Sequence, residues 1–376
     1  MRDAVICEAV RTPVGKRNGS LKDWHPVDLS AHVLQALAQR SGIDPSLVED
    51  VIWGCVSQTG EQAANVGRNA ALAAGWPEDV VGVTIDRQCG SSQQAVHFAA
   101  AGVIAGHYDV VVAGGVESMT RVPMLVTLTQ GPGIPFGPKL MERYDLVPQG
   151  ISAELIAARW GLTREQVDEV ALESHAKAAA AIDSGRFEAQ IAPVGDFAVD
   201  EGVRRGGTLE TLGALKPAFK EDGIVTAANS SQISDGAAAL LVTTSERARE
   251  LGLRPIARFH TAALAGVDPV TMLTGPIPAT AKALKRSGLT LDEIGAVEIN
   301  EAFASVVLAW EKETGADRKV VNPNGGAIAL GHPLGGSGAR LMTTLVHHMA
   351  DNGIRYGLQT MCEGGGMANA TILELV

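Results

Sequence analysis

Apolar positions along the chain recur in two registers. Ala4 to Val10, Val51 to Val56 and Val110 to Ala113 are short, nearly unbroken apolar runs rich in β-branched residues, which predict strands without a polar face. Between them the spacing changes to three and four. Leu29, Val33, Leu37 and Ala38 share one face of a helix that starts at Pro26 or Asp28 and stops at Ser41-Gly42. A helical turn at Asp44-Pro45 follows, and Gln58 to Ala74 is polar at first, then an alanine-rich helix ending at Gly75. Strands buried on both faces and separated by helices predict an α/β architecture. The RTPVGKRNGS stretch after the first strand is basic and turn-rich, the pattern of a solvated connection.

From Met119 to about Pro217 the pattern changes to prolines, glycines, polar helices and charge, as expected of an insertion. Thr163 to Gln166 is a capping box for a helix whose Val167, Val170, Ala171, Ala178 and Ile182 share a face. Arg204, Arg205, Lys216 and Lys220 concentrate positive charge there, as a solvated surface or as a receiver of phosphates. Val225 to Ala238 is a small-residue loop running into a helix or strand, and its backbone can lie close to a long thin ligand. The last third then repeats the first. Arg40-Ser41-Gly42 returns as Arg286-Ser287-Gly288, and the same offset carries Cys89-Gly90-Ser91-Ser92 onto Gly335-Gly336-Ser337-Gly338. One shift aligning two separate motifs predicts two similar halves with the insertion between them.

With 376 residues and 43 glycines the chain is expected to hold two or three domains with closely packed elements. A net charge of −11 argues against nucleic acid or an anionic membrane as the main partner. Cys7, Cys55, Cys89 and Cys362 form no CxxC pair, which fits a reduced, cytoplasmic setting. No apolar run reaches membrane-spanning length, and the start lacks the features of a signal peptide.

Cys89 stands where a strand ending Val83-Thr84-Ile85 gives way to a helix, with Gly90-Ser91-Ser92 as the turn. A thiol at a helix N-terminus is favoured as thiolate by free N–H groups and the macrodipole, although cysteine is equally at home as a small buried hydrophobe. Three loops in the second half add chemistry: Asn300-Glu301-Ala302-Phe303, Gly325 to Pro333 with His332, and Cys362 to Met367. Singly, each has an ordinary reading as a cap, a turn histidine or a core thiol. Together they describe a site, because a Cys–His pair activates a nucleophile, a second thiol moves a proton at carbon, and glycine N–H groups hold an oxyanion.

DRQCGSSQQA, NEAFA, NPNGGAIALGHPLGGSG and CEGGGM resemble, in order, the signature stretches of the thiolase family, and the likeness spans essentially the whole chain. It implies an α/β fold of two duplicated βαβαβαββ halves in a layered αβαβα core: residues 1–120 completed by about 232–255, residues 256–376, and an inserted loop domain at 121–231 over the substrate. It implies an acyltransferase acting on acyl-CoA substrates in fatty acid or lipid β-oxidation, a homodimer or homotetramer, with coenzyme A as co-substrate, no permanent cofactor and no metal. By position, Cys89 matches the nucleophile, His332 its base and Cys362 the acid/base at the substrate Cα. Asn300 matches the residue holding a water in one oxyanion hole, and the N–H groups of Cys89 and Gly364 the other. Lys216, Ala227, Ser231, Gln149, Met272 and Phe303 match positions lining the coenzyme A and acyl site.

The chain departs from short-chain members where Pro148-Gln149 replaces a His-Met pair before Gly150 to Glu154, where Glu363 follows Cys362, and where Ala368 replaces a glycine. The first departure, with Gly60-Glu61-Gln62 and the CGSSQQA context, points to 3-ketoacyl-CoAs bulkier than acetoacetyl-CoA, steroid side chains included. A short-chain acetyl-CoA C-acetyltransferase is the alternative within the family. A ketosynthase with Cys-His-His and a non-catalytic acyl-CoA-binding subunit are the rivals outside it, the first opposed by Cys362 and the NEAF motif.

Overall fold

The computed structural model describes residues 2–376. Its strands are β1 (Val5–Arg11), β2 (Gly15–Lys16), β3 (Asp50–Gly54), β4 (Val81–Ile85), β5 (Val110–Ser118), β6 (Ser234–Thr243), β7 (Ala257–Gly266), β8 (Ala296–Ile299), β9 (Tyr356–Glu363) and β10 (Met367–Leu375). They lie in the order β4-β3-β5-β6-β1-β7-β10-β9-β8, with β2 pairing β6. The first half runs β4-β3-β5-β6-β1, parallel at the β4–β3–β5 pairs and antiparallel afterwards. The second half repeats this order in reverse, β8-β9 parallel, β9-β10 and β10-β7 antiparallel, with Val321 bridging Val297 in parallel where β4 would stand. The offset of 246 between Gly42 and Gly288 also separates the starts of β3 and β8 and of β5 and β9. A ladder of two residue pairs, Val5 with Arg258 and Ile6 with Ala257, joins the halves.

Packing follows the duplication. One outer core buries Leu29, Val33, Leu34, Leu37 and Trp53 beneath the Pro26–Ser41 helix, whose Pro at the first turn and left-handed Gly42 fix its ends. The opposite outer core, with Val297, Ile299, Val307 and Trp310, belongs to the second half. Between the sheets lie the Ser91–Ala105 and Leu334–Asn352 helices, whose Ala95, Ala99, Val103, Ala339, Met342 and Leu345 share one core with residues of both halves. Helices and strands therefore alternate in five layers.

Residues 119–233 contribute no named strand and hold the Gln149–Arg159 and Arg164–Asp183 helices, the latter opened by the expected reciprocal Thr163–Gln166 bonds. One sequence expectation changes, and two open readings become definite. The RTPVGKRNGS stretch is solvated only from Lys16 onward: Arg11 to Gly15 are buried, with Arg11 paired through two nitrogens to Asp200, both side chains fully covered. An ion pair this deep holds only because Gln190 and the Val14 N–H complete its hydrogen bonding. Val225 to Ala238, read as leading into a helix or a strand, leads into strand β6. Within Gln58 to Ala74 the polar part holds a single turn at Gly60–Gln62 and the alanine-rich helix spans Val66–Ala73, in keeping with the sequence.

Candidate active site

Cys89 is aimed by a strained turn. Gln88 adopts a left-handed φ of 50°, held by its N–H donating to the Asp86 carboxylate at 2.6 Å. Ser91 Oγ ties the turn from behind, donating to the Gln88 carbonyl oxygen at 2.6 Å and accepting from Arg87 N–H at 2.9 Å. The helix N-terminus does not leave a resting thiolate, contrary to the sequence reading. Burial pushes the Cys89 thiol up to about 12 and Glu363 adds to it, while the backbone N–H groups of Cys89 and Gly364 and the Gln149 side chain oppose them. Cys362 lies at the end of β9, also pushed up, by burial first and then by Cys89 and Glu363, so the two thiols feel one another. It packs with Met272, Phe303 and Ala153.

His332 is buried and neutral, driven down to about 3 by burial and then by Arg340. Its backbone N–H donates to the Gln232 carbonyl oxygen and Ser234 Oγ, both at 3.2 Å. Its tautomer follows from counting protons. Ser337 Oγ has one hydrogen and donates it to the Pro333 carbonyl at 2.8 Å, so at 2.6 Å from His332 Nδ1 it accepts. The ring proton then sits on Nδ1, and Nε2 keeps a lone pair, 3.3 Å from Asn300 Nδ2. The Asn300 Oδ1 is buried without a protein partner.

Two glutamates hold the loops that carry these groups. Glu301 accepts from Ser174 Oγ (2.6 Å), Asn322 Nδ2 (2.9 Å) and Ile328 N–H (3.1 Å), fastening the Gly325–His332 loop to the inserted helix. Glu117 accepts from Val56, Ser57 and Gly335 N–H and from Gln62, anchoring the head of the Leu334–Asn352 helix. Ser337, Glu301 in this role and Glu117 were not singled out by sequence reasoning. Ser337 carries a usable signal, five residues after His332 in the first turn of the helix.

A cavity of about 700 Å³ opens at this point. Its lining includes Gln149, Ala227, Ser231, Phe303 and His332 among the expected residues, with Lys16, Arg17 and Arg204 as basic groups. Met272, buried beside Phe303, and the exposed Lys216 are not on the lining. Arg205 and Lys220 are paired on the surface with Asp183 and Asp222. Positive charge at the cavity therefore comes from Arg204 and the β2 loop. Among the described residues no cluster of histidine, cysteine or carboxylate side chains is suited to a metal ion.

Comparison with known proteins decides the family. The thiolase N-terminal domain model matches residues 4–246 and the thiolase C-terminal domain model residues 253–375. The chain belongs to the thiolase family. It is 51% identical to a steroid 3-ketoacyl-CoA thiolase of Mycobacterium tuberculosis, covering all of this chain and 94% of the relative. A 3-ketoacyl-CoA thiolase of Photobacterium profundum is 44% identical, with both chains covered completely. The crystal structure of an acetyl-CoA acetyltransferase of Bacillus anthracis superposes with a TM-score of 0.92 at 41% identity, over all of this thiolase and 99% of that chain. The protein is thus an acyltransferase of the thiolase type with the duplicated α/β fold described above. Among its described residues no helix is long and apolar enough to cross a membrane.

Proposed function

We propose that this thiolase cleaves 3-ketoacyl-CoA with coenzyme A to acetyl-CoA and a shortened acyl-CoA, and in reverse condenses them, through an acyl group carried on Cys89. The observation that carries this reading is the convergence on Cys89 of the Gly364 N–H and a second buried thiol, with a neutral histidine whose free Nε2 faces Asn300 in the same site. With substrate bound, His332 Nε2 takes the Cys89 proton as sulfur attacks the 3-keto carbon. The Cα–Cβ bond breaks, Cys362 protonates the departing acetyl-CoA enolate, and the thiol of a second coenzyme A removes the acyl group from Cys89. Asn300 through a water, together with His332, serves one oxyanion, and the N–H groups of Cys89 and Gly364 the other. Both thiols are neutral at rest, so the charge needed for attack forms only once substrate is in place.

Gln149 stands against Cys89 where short-chain members carry a methionine, and with Met119, Met124 and Phe219 on the lining of a 700 Å³ cavity it supports 3-ketoacyl-CoAs larger than acetoacetyl-CoA, with steroid-derived acyl groups in range. Arg204 and the β2 loop take over from Lys216 as groups for the coenzyme A phosphates. Residues 1–120 with 232–255 form one half, 256–376 the other, and 121–231 the cover. Four free cysteines suit the cytoplasm, and the protein works as a homo-oligomer through the uncovered edge of β4. Intact-mass analysis after acetyl-CoA, paired with thiolysis assays, tests the roles. Cys89→Ala is expected to take up no acetyl group. Cys362→Ala is expected to acylate and yet lose cleavage by roughly 10²–10⁴. An active Cys362→Ala enzyme would remove that assignment. A preference for acetoacetyl-CoA over longer substrates in kcat/KM would overturn the substrate choice alone.

A further inference from the structure

Glu363 ends β9 directly after Cys362, fully buried, and neither of its carboxyl oxygens has a hydrogen-bond partner. The carboxyl lies over Gly90 at the head of the Cys89 helix. A Cβ on Gly90 would stand 1.9 Å from Glu363 Oε1 and 2.6 Å from the Oδ1 of Asn369, itself a buried acceptor without a partner. The Asn369 amide nitrogen is turned toward Gln94 Oε1 at 3.4 Å, which leaves its oxygen toward Glu363. Two oxygens that only accept, converging on one point with no donor between them, repel unless one of them carries a proton. An amide oxygen does not; a carboxylic acid does.

The internal duplication supplies a control. At the offset of 246 the counterpart of Glu363 is Glu117, whose carboxylate collects four donors, among them the Gly335 N–H at the head of the Leu334–Asn352 helix. The same residue type at the matching place in the other half is buried as well, which raises its carboxyl, but there four donors satisfy its oxygens. Glu363 has none of those donors. The ionisable groups around it are Arg87 and Asp86 from the turn, Cys89 on the helix and Cys362 on its own strand; β10 presents Asn369, and the helix presents Gln94 and His97, the latter pushed down to about 4 and so uncharged. Burial raises the Glu363 carboxyl to about 8, with Arg87 opposing and Asp86 adding.

We infer that Glu363 is a positioning residue for the thiolase reaction, held as a neutral carboxylic acid donating to Asn369 Oδ1, and that this neutrality is what lets Cys89 gain charge during attack. With the carboxyl neutral, the helix N-terminus and the Gly364 N–H have only burial to work against at the sulfur, and no neighbouring carboxylate charge. With it ionised, a buried negative charge beside the same N-terminus resists the thiolate and resists charge on Cys362. The inference rests on Cys89 being the nucleophile, and its test is separable from that reading.

The test is the pH profile of iodoacetamide labelling, followed at Cys89 by peptide mass spectrometry, for the wild type, Glu363→Gln and Glu363→Met. Glutamine keeps the shape and a donor; methionine keeps the volume and carries the test should the first variant fold poorly. Below the carboxyl's transition, at about pH 6, both variants are expected to label Cys89 at the wild-type rate. Above it, at about pH 9, both are expected to label on the order of tenfold faster, because only the wild type then holds the opposing charge. A constant acceleration at every pH would show Glu363 ionised throughout, and identical profiles would show no coupling; either result overturns the inference. Cys89 labelling no faster than Cys7 in the wild type would instead remove the nucleophile reading.

Discussion

In the proposed mechanism Ser337 acts through His332 and not on substrate. Its hydroxyl leaves His332 one tautomer, and a base whose lone pair is on the wrong nitrogen cannot take the Cys89 proton. Ser337→Ala is therefore expected to lower kcat by roughly 10–10² at unchanged KM across neutral pH, and Ser337→Thr to recover most of it. A purely structural serine would show the opposite split, lost stability with normal kcat in the folded fraction. Cys89, His332 and Cys362 stand out in the sequence as candidates because these residue types are rare and lie in glycine-rich motifs. Ser337 is not, since a serine in a helix's first turn usually caps or packs. The charge state of Cys89 is also hidden, because burial outweighs the helix terminus and burial is a property of the whole fold.

At the scale of elements, the two central helices cross where the Leu334–Asn352 helix cannot carry a side chain. A Cβ on Gly338 would stand 2.2 Å from the backbone nitrogen of Gln93 and 2.7 Å from its Cβ, while Gly54 and Gly115 are pressed against Ser92 and the Gly335 carbonyl. These contacts bring the helix carrying Cys89 against the helix that begins just after His332. Backbone atoms cannot move aside as a flexible side chain would, so Gly338→Ala is expected to cost about 1–3 kcal/mol or more in denaturant unfolding. Gly213→Ala, with nothing within 4 Å, is the matched control and is expected to stay within about 0.5 kcal/mol. A Gly338→Ala protein as stable as the control would mean that the helices can separate without loss. The sequence shows that such glycines are abundant and that Gly335, Gly336 and Gly338 fall in register with the Cys89 turn. It cannot show which of them faces a neighbour, because that depends on helices joined only through the fold.

For the whole molecule, the offset of 246 carries the pairing order of both halves, which is why the architecture could be anticipated from one aligned repeat. The part that stayed hidden is the outer edge. The sequence reads Val83 to Ile85 as a strand end and says nothing of its cover; β4 pairs only with β3, and Val81 and Val83 are 54% and 40% exposed. Leu72, Phe98 and Ile104 on the two adjoining helices are exposed as well. The matching edge of the second half is different: there only Val321 bridges β8, and it is buried. An uncovered strand bearing β-branched residues is a template for another strand, and proteins that keep one uncovered usually place lysine or proline on it. β4 has neither, which fits a second copy pairing along this edge. Val83→Lys puts a charge at the centre of that strand without entering either core. It is expected to shift the protein toward monomer in sedimentation velocity at micromolar concentration, with secondary structure by circular dichroism unchanged. An unchanged assembly would place the contact between copies elsewhere and leave β4 as an exposed edge that needs another explanation.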